Sequence, residues 1–238
     1  TFGTQGDCRA TKVSVQKNLM VFVAETPWGN INLEMRLLGR HNVANALGVI
    51  ALCGGIGMSP DEIARGIASV VAVPGRFEHV DEGQPFHVIV DYAHTEDGLR
   101  NVLRTAREIC RRRVICVFGC GGDRDKGKRP KMGQAAAELA DFSVVTSDNP
   151  RSESPERILL DIEVGLQHAG KKKGEDYVMM LDRREAIRFA LEMASAGDVV
   201  LIAGKGHEDY QIIGDRRIHF DDRETARDVL KTLGYTRE

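Results

Sequence analysis

No apolar run in this chain is long enough to cross a bilayer, so the sequence offers no membrane-spanning helix. No secretory leader is visible, and the first residue is Thr1 and not Met, so the chain is expected to be part of a longer one. The charge excess that would draw a protein to nucleic acid is missing too. Lys and Arg number 33 against 35 Asp and Glu, a net charge of −2. Cysteine is sparse and badly spaced for pairing: Cys8, Cys53, Cys110, Cys116 and Cys120 are odd in number and contain no C-x-x-C. That argues against a disulfide framework and for free thiols in a reducing cytoplasm. No internal repeat or low-complexity tract occurs. What remains, 42% hydrophobic and 29% charged residues, is ordinary globular composition. The length suits one large domain or two modest ones.

Two patterns divide the chain. Residues 10–16, 19–25 and 30–36 alternate apolar and polar, as antiparallel strands do, with Thr26-Pro27-Trp28-Gly29 as a turn. Helical spacing follows over 41–53, stopped by Gly54-Gly55, and again from Ser59-Pro60-Asp61-Glu62 to about residue 71. Val73-Pro74-Gly75 is the expected boundary. Beyond it, strands near 77–81, 86–91, 113–118, 142–147, 176–180 and 198–203 alternate with helices near 96–111, 130–140, 155–168 and 183–195. Such alternation predicts an α/β fold, a mostly parallel Rossmann-like sheet with helices on both faces. Val114–Phe118, Phe142–Thr146 and Val199–Ala203 are continuously apolar and are expected as interior strands. A hairpin over 209–213 and 216–220 and a helix from about 222 to 233 complete the chain.

The stretch 114–129 organises the C-terminal part. A buried strand breaks into Gly119-Cys120-Gly121-Gly122 and then into Asp123-Arg124-Asp125-Lys126-Gly127-Lys128-Arg129, with Pro130 expected at the first position of the next helix. The following strand ends in Ser147-Asp148-Asn149-Pro150-Arg151. Open α/β sheets bind ligands at such strand ends, so Arg124 and Arg151 are expected on one rim beside acids and an amide. That mixture suits a zwitterion such as an amino acid, guanidinium for carboxylate and carboxylate for ammonium.

Other motifs allow two readings each. Asp91, at the end of Val88-Ile89-Val90-Asp91, either accepts from a ribose hydroxyl pair or caps the next helix, a task Thr95 can also perform. His94 by itself reads as structural. Asn42 and Asn45 share a helix face and either meet a purine or phosphate, or serve as an N-cap and a plain surface amide. Arg76 either clamps a nucleotide between domains or pairs at the surface with Glu78 or Asp81. Gly204-Lys205-Gly206-His207-Glu208 follows a strand without the Walker A spacing. Its Gly204 backbone can approach a ligand closely, and Glu208 can receive an ammonium. Lys171-Lys172-Lys173 reads as a solvated loop.

Taken together, Gly39-Arg40-His41-Asn42-Val43-Ala44-Asn45, Pro74-Gly75-Arg76-Phe77-Glu78, Asp91-Tyr92-Ala93-His94-Thr95, the stretch from Phe118 to Pro130, Asp148-Asn149-Pro150-Arg151 and Gly204-Lys205-Gly206-His207-Glu208 resemble, in this order, the motifs of the Mur ligases. The resemblance covers essentially the whole chain. It implies an ATP- and magnesium-dependent amide-bond ligase of peptidoglycan synthesis, working through an acyl phosphate on UDP-MurNAc-L-Ala-D-Glu and meso-diaminopimelate. It implies that Asn42, Asn45, Arg76 and Asp91 hold the adenine nucleotide. Arg124, Asp148, Asn149, Pro150, Arg151, Gly204 and Glu208 would hold the diamino acid, Asp-Asn-Pro-Arg being the family's version for meso-diaminopimelate. No catalytic or metal-ligating residue is assigned. A cytoplasmic monomer without nucleic-acid or membrane partners is expected.

Two departures are Glu96, where the family has Pro, and His41, where it often has Phe. The family's phosphate loop, its modified lysine and its UDP-sugar domain have no counterpart here. Residues 1–73 are therefore expected to be the tail of the central ATPase domain and 74–238 the C-terminal domain, together inactive alone. Competing readings are a lysine- or glutamate-adding relative, an isolated amino-acid-binding module, and a dinucleotide-dependent oxidoreductase. The last lacks the G-x-G-x-x-G fingerprint.

Overall fold

The structure is a computed structural model that describes residues 1–16 and 19–237. It divides into two compact units, Thr1–Val73 and Pro74–Glu238.

In the first unit, β1 (Arg9–Gln16), β2 (Leu19–Thr26) and β3 (Gly29–Met35) form an antiparallel sheet in chain order. Period-two alternation puts Met20, Phe22 and Ala24 opposite Met35, Leu33 and Ile31 on one buried face. That face packs against α1 (Arg40–Gly55) and α2 (Pro60–Ser69) through Val43, Leu47, Ile50, Ile63 and Ile67. α2 starts with the capping box read from Ser59 and Glu62. α1 differs from expectation: its N-cap is Gly39 at φ 100°, so Asn42 lies inside the helix and does not cap it. The Asn42 amide donates to Leu38 O at 2.8 Å instead.

The second unit is a six-stranded sheet in the order β4-β5-β9-β6-β7-β8. Its members are β4 (Glu78–His79), β5 (His87–Asp91), β6 (Val114–Phe118), β7 (Phe142–Thr146), β8 (Tyr177–Met180) and β9 (Val199–Ala203). Only the β4–β5 pair is antiparallel. β6, β7 and β9 each have a strand on both sides, as their apolar runs predict. Both faces are covered. α6 (Arg183–Glu192) and α7 (Asp222–Thr232) bury Val88, Val90, Ile115, Val117, Val144, Val200 and Ile202. On the other face α3 (Glu96–Ile109) meets β6 and β9, while α4 (Lys128–Leu139) and α5 (Pro155–His168) meet β7. β9 lies between β5 and β6 although it follows them all, so the winding reverses beside it and the strand ends there diverge into a crevice.

Two boundaries differ from the sequence reading. β4 is two residues long, not five, because Phe77 takes φ 47° and cannot join a ladder. α4 begins at Lys128, which places Pro130 third in the helix, still within the first turn, where a missing N–H costs nothing. β10 (Tyr210–Ile213) and β11 (Arg216–His219) form the expected hairpin around Gly214. Among the described residues no helix is long and apolar enough to cross a membrane.

Candidate functional site

The C-terminal ends of β6, β7 and β9 border a cleft of about 460 Å³. Arg124, Asp148, Asn149, Arg151, Gly204 and Glu208 line it, with Tyr92, His94, Asp125, Lys128 and Tyr210. Parallel pairing sets these ends side by side: Phe118 is level with Val145, and Val117 with Ile202. Glycine lets the loops touch by backbone. A Cβ on Gly119 would lie 2.1 Å from Thr146 O, and one on Gly122 would lie 1.9 Å from Pro150 O. Pro150 itself does not line the cleft; its carbonyl accepts from Glu153 N.

The segment after β7 is held on every side. Gln211 donates from its amide to Asp148 O at 2.7 Å, and Ile212 N donates to Asn149 Oδ1 at 3.0 Å. Arg151 N donates to Ile212 O at 3.1 Å and Gly214 N donates to Arg151 O at 2.8 Å, so the hairpin grips the strand end. Arg151 sits at φ 52°, a left-handed conformation that these bonds impose. One nitrogen of its guanidinium, Nη1, donates to Gly122 O at 2.8 Å, which leaves the rest of the fork for a ligand. Asn149 Nδ2 donates to Glu208 Oε2 at 3.0 Å. Arg124 is exposed and donates to Asp123 O at 2.9 Å.

Below the acids lie two buried cations that the sequence reading gave no role. Lys205 Nζ donates to Tyr210 O at 2.7 Å and Asn149 Oδ1 at 3.0 Å, and stands 3.4 Å from Asp148 Oδ1. Burial pulls its ammonium below the ordinary value, and Asp148 opposes that shift. Arg183 forms a double contact with Asp222, Nε to Oδ1 at 2.7 Å and Nη2 to Oδ2 at 2.8 Å, with both side chains wholly buried. It also donates to Ala203 O at 3.0 Å, tying the end of β9. A lysine between two glycines reads as an exposed loop residue; only its partners reveal burial. The cleft thus offers a guanidinium fork on one side and a carboxylate, with its amide neighbour, on the other. That is the complement of an amino-acid head group. Cys120 is not a nucleophile here, since burial pushes its thiol up to about 12.

The remaining nominated residues fall in two places. In the second unit, Asp91 is buried and accepts from Phe77 N and Ala93 N, both at 2.8 Å. Thr95, not Asp91, caps α3. Arg76 lies over the Tyr92 ring at 4.9 Å, and Glu78 is engaged by Gly75 N and Arg223. The surface pairing with Glu78 is thereby replaced by a cation–π contact. His94 Nδ1 lies 2.9 Å from Tyr92 O, a structural contact. In the first unit, Asn45 Nδ2 donates to Asn42 Oδ1 at 3.2 Å, and both amides border an apolar cleft of about 320 Å³. Among the described residues no three Asp, Glu, His or Cys side chains converge on a possible metal position.

Residues 75–206 match the Mur ligase glutamate ligase domain, and residues 1–53 match the Mur ligase middle domain. The UDP-N-acetylmuramoyl-L-alanyl-D-glutamate–2,6-diaminopimelate ligase of Solibacter usitatus is 56% identical over 85% of this chain and 40% of its own length. The ligase of that name from Geobacillus thermodenitrificans is 52% identical over 97% of this chain and 47% of its own. A solved structure of a ligase of the same name superposes with a TM-score of 0.68 at 36% identity, covering 98% of this chain and 47% of that one. The chain spans less than half the length of these relatives. Matched domains along most of its length, with identity of this order, establish that the chain belongs to the Mur ligase family.

Proposed function

We propose that a ligase containing this sequence joins meso-diaminopimelate to UDP-N-acetylmuramoyl-L-alanyl-D-glutamate at the expense of ATP, as a monomer in the cytoplasm. The glutamyl carboxylate takes the γ-phosphoryl group of ATP, giving an acyl phosphate and ADP. An amine of the diamino acid then attacks the acyl carbon; the C–N bond forms, inorganic phosphate leaves and the amine loses a proton. Residues 74–238 are the domain that receives the diamino acid, and 1–73 are the tail of the ATPase domain. Arg151 and Arg124 hold carboxylates, Glu208 and Asp148 receive an ammonium, and Asn149 holds Glu208 through its Nδ2. Asn42, Asn45, Arg76 and Asp91 hold the nucleotide, Arg76 as a cation already stacked on Tyr92.

The observation that carries this reading is the braced Asp148-Asn149-Pro150-Arg151 segment in one cleft with Glu208, which Asn149 holds directly, in a chain whose similar relatives bear that enzyme's name. The test is an amino-acid panel with full-length enzyme, UDP-precursor and ATP, read by phosphate release and product mass. Meso-diaminopimelate should give the highest kcat/KM. A preference for lysine or glutamate would replace this reading with one of a relative adding that residue.

A further inference from the structure

The buried lysine beneath the cleft has a geometry that the family motifs leave unexplained. Lys205 has no solvent-exposed side-chain surface, and its ammonium is ringed by oxygens of cleft residues. Two consequences follow from its place. The first concerns Asn149. Its Oδ1 receives both Lys205 Nζ and Ile212 N at 3.0 Å, so Nδ2 is the atom turned to Glu208. A flipped amide would set its own NH2 against the ammonium and against a backbone N–H. The second concerns charge. Lys205 stands 3.4 Å from Asp148 Oδ1 and 3.8 Å from Glu208 Oε2, one cation between two carboxylates. Arg183, the other buried cation beneath the acids described above, is already matched by Asp222. Lys205, Asp148 and Glu208 together carry one negative charge over, the charge that a substrate ammonium supplies.

We propose that Lys205 is the positioning residue of this cleft: it fixes the Asn149 amide toward Glu208 and keeps Asp148 and Glu208 together as a seat for one ammonium of the incoming amino acid. This rests on the reading that the cleft receives a diamino acid. Without the lysine, two carboxylates face one another in a poorly solvated place. They separate, and the seat is lost.

The test is steady-state kinetics of full-length ligase carrying Lys205→Met, Asp148→Asn or both, with thermal melts to confirm folding. Lys205→Met should raise KM for meso-diaminopimelate about 30-fold or more, with a smaller change in kcat and KM for ATP within about twofold. Adding Asp148→Asn removes one repelling carboxylate and should bring KM back down by about threefold or more. A purely structural lysine predicts the opposite, because its loss and the loss of Asp148 would compound. An unchanged KM in Lys205→Met, or effects that multiply in the double variant, overturns the proposal. Should Lys205→Met alone not fold, the double variant is compared with Asp148→Asn. A KM no higher than that of Asp148→Asn supports the role, and a higher KM or an unfolded double variant overturns it. If the wild-type enzyme does not use meso-diaminopimelate, the proposed function fails; if it does and Lys205→Met behaves as wild type, only the positioning role fails.

Discussion

Two loops leave neighbouring parallel strands, β6 and β7, and each carries an arginine into the same cleft, yet they are built to different standards. The loop after β7 is pinned by the hairpin, by Gly122 and by Lys205, and Arg151 is held at φ 52°. That conformation costs a non-glycine residue about 1–2 kcal/mol, which its backbone bonds must offset. The loop after β6 carries Arg124 in solvent, with its guanidinium donating to the carbonyl of the preceding residue. A preorganised fork loses little freedom when it binds and tolerates little error in its partner; an exposed one adds attraction with little geometry. Discrimination between ligands should therefore reside in Arg151, and Arg124 should add general affinity for carboxylate.

The most damaging way to break the contrast is from below. Asp222→Ala strands Arg183 as an unpaired buried cation under the ends of β7 and β9, which should cost about 3–5 kcal/mol by chemical denaturation. A loss under about 1 kcal/mol would show that the rigid loop does not depend on it. Gly122→Ala attacks the contact between the loops directly. Its Cβ would stand 1.9 Å from a backbone oxygen, so the loops must part, at about 1–3 kcal/mol. Gly121→Ala is the control: its Cβ would meet the flexible Arg151 Nη1 at 2.9 Å, and it should cost less. Equal losses would contradict that packing. The smallest effect is one of pH. Glu153, which ties the segment after β7 to α4 and to the loop after β6, is held down to about 2, chiefly by its hydrogen bonds from Arg129 and then by Asp123 N. A depressed carboxyl stabilises the fold when ionised. Its contribution is complete above the ordinary glutamate value and disappears as pH falls from about 4.5 toward about 2. Glu153→Gln should thus be less stable than wild type near neutrality and converge with it in acid. A penalty independent of pH would contradict the assignment.

How legible the molecule was in its sequence depends on the range of the interactions. β6, β7 and β9 are readable because burial on both faces makes every residue apolar, a purely local signal. The strand-end position of Arg151 and Glu208 follows from that pattern. The bracing does not. Lys205 meets Asn149 from 56 positions away, and Arg183 meets Asp222 from 39. Each of the four, taken alone, is an unremarkable polar residue at a loop or helix start. Asn42 misled because Asn near a helix start usually caps, and nothing local announces that Gly39 takes that place. β4 shrank because Phe77 adopts a left-handed backbone that bulky side chains rarely take, imposed by its bond to Asp91 across 14 positions.

The central claim, that the braced Arg151 fork selects the diamino acid, has one direct measurement. Meso-diaminopimelate carries a second carboxylate where lysine has none, so a bidentate contact to it separates the two. The ratio of kcat/KM for meso-diaminopimelate over lysine is to be compared in wild-type full-length ligase, Arg151→Ala and Arg124→Ala. Arg151→Ala should lower the ratio roughly 30- to 1000-fold, about 2–4 kcal/mol, with ATP binding little affected. Arg124→Ala should weaken binding with a smaller change in the ratio. A ratio in Arg151→Ala within a factor of about three of wild type would contradict the account.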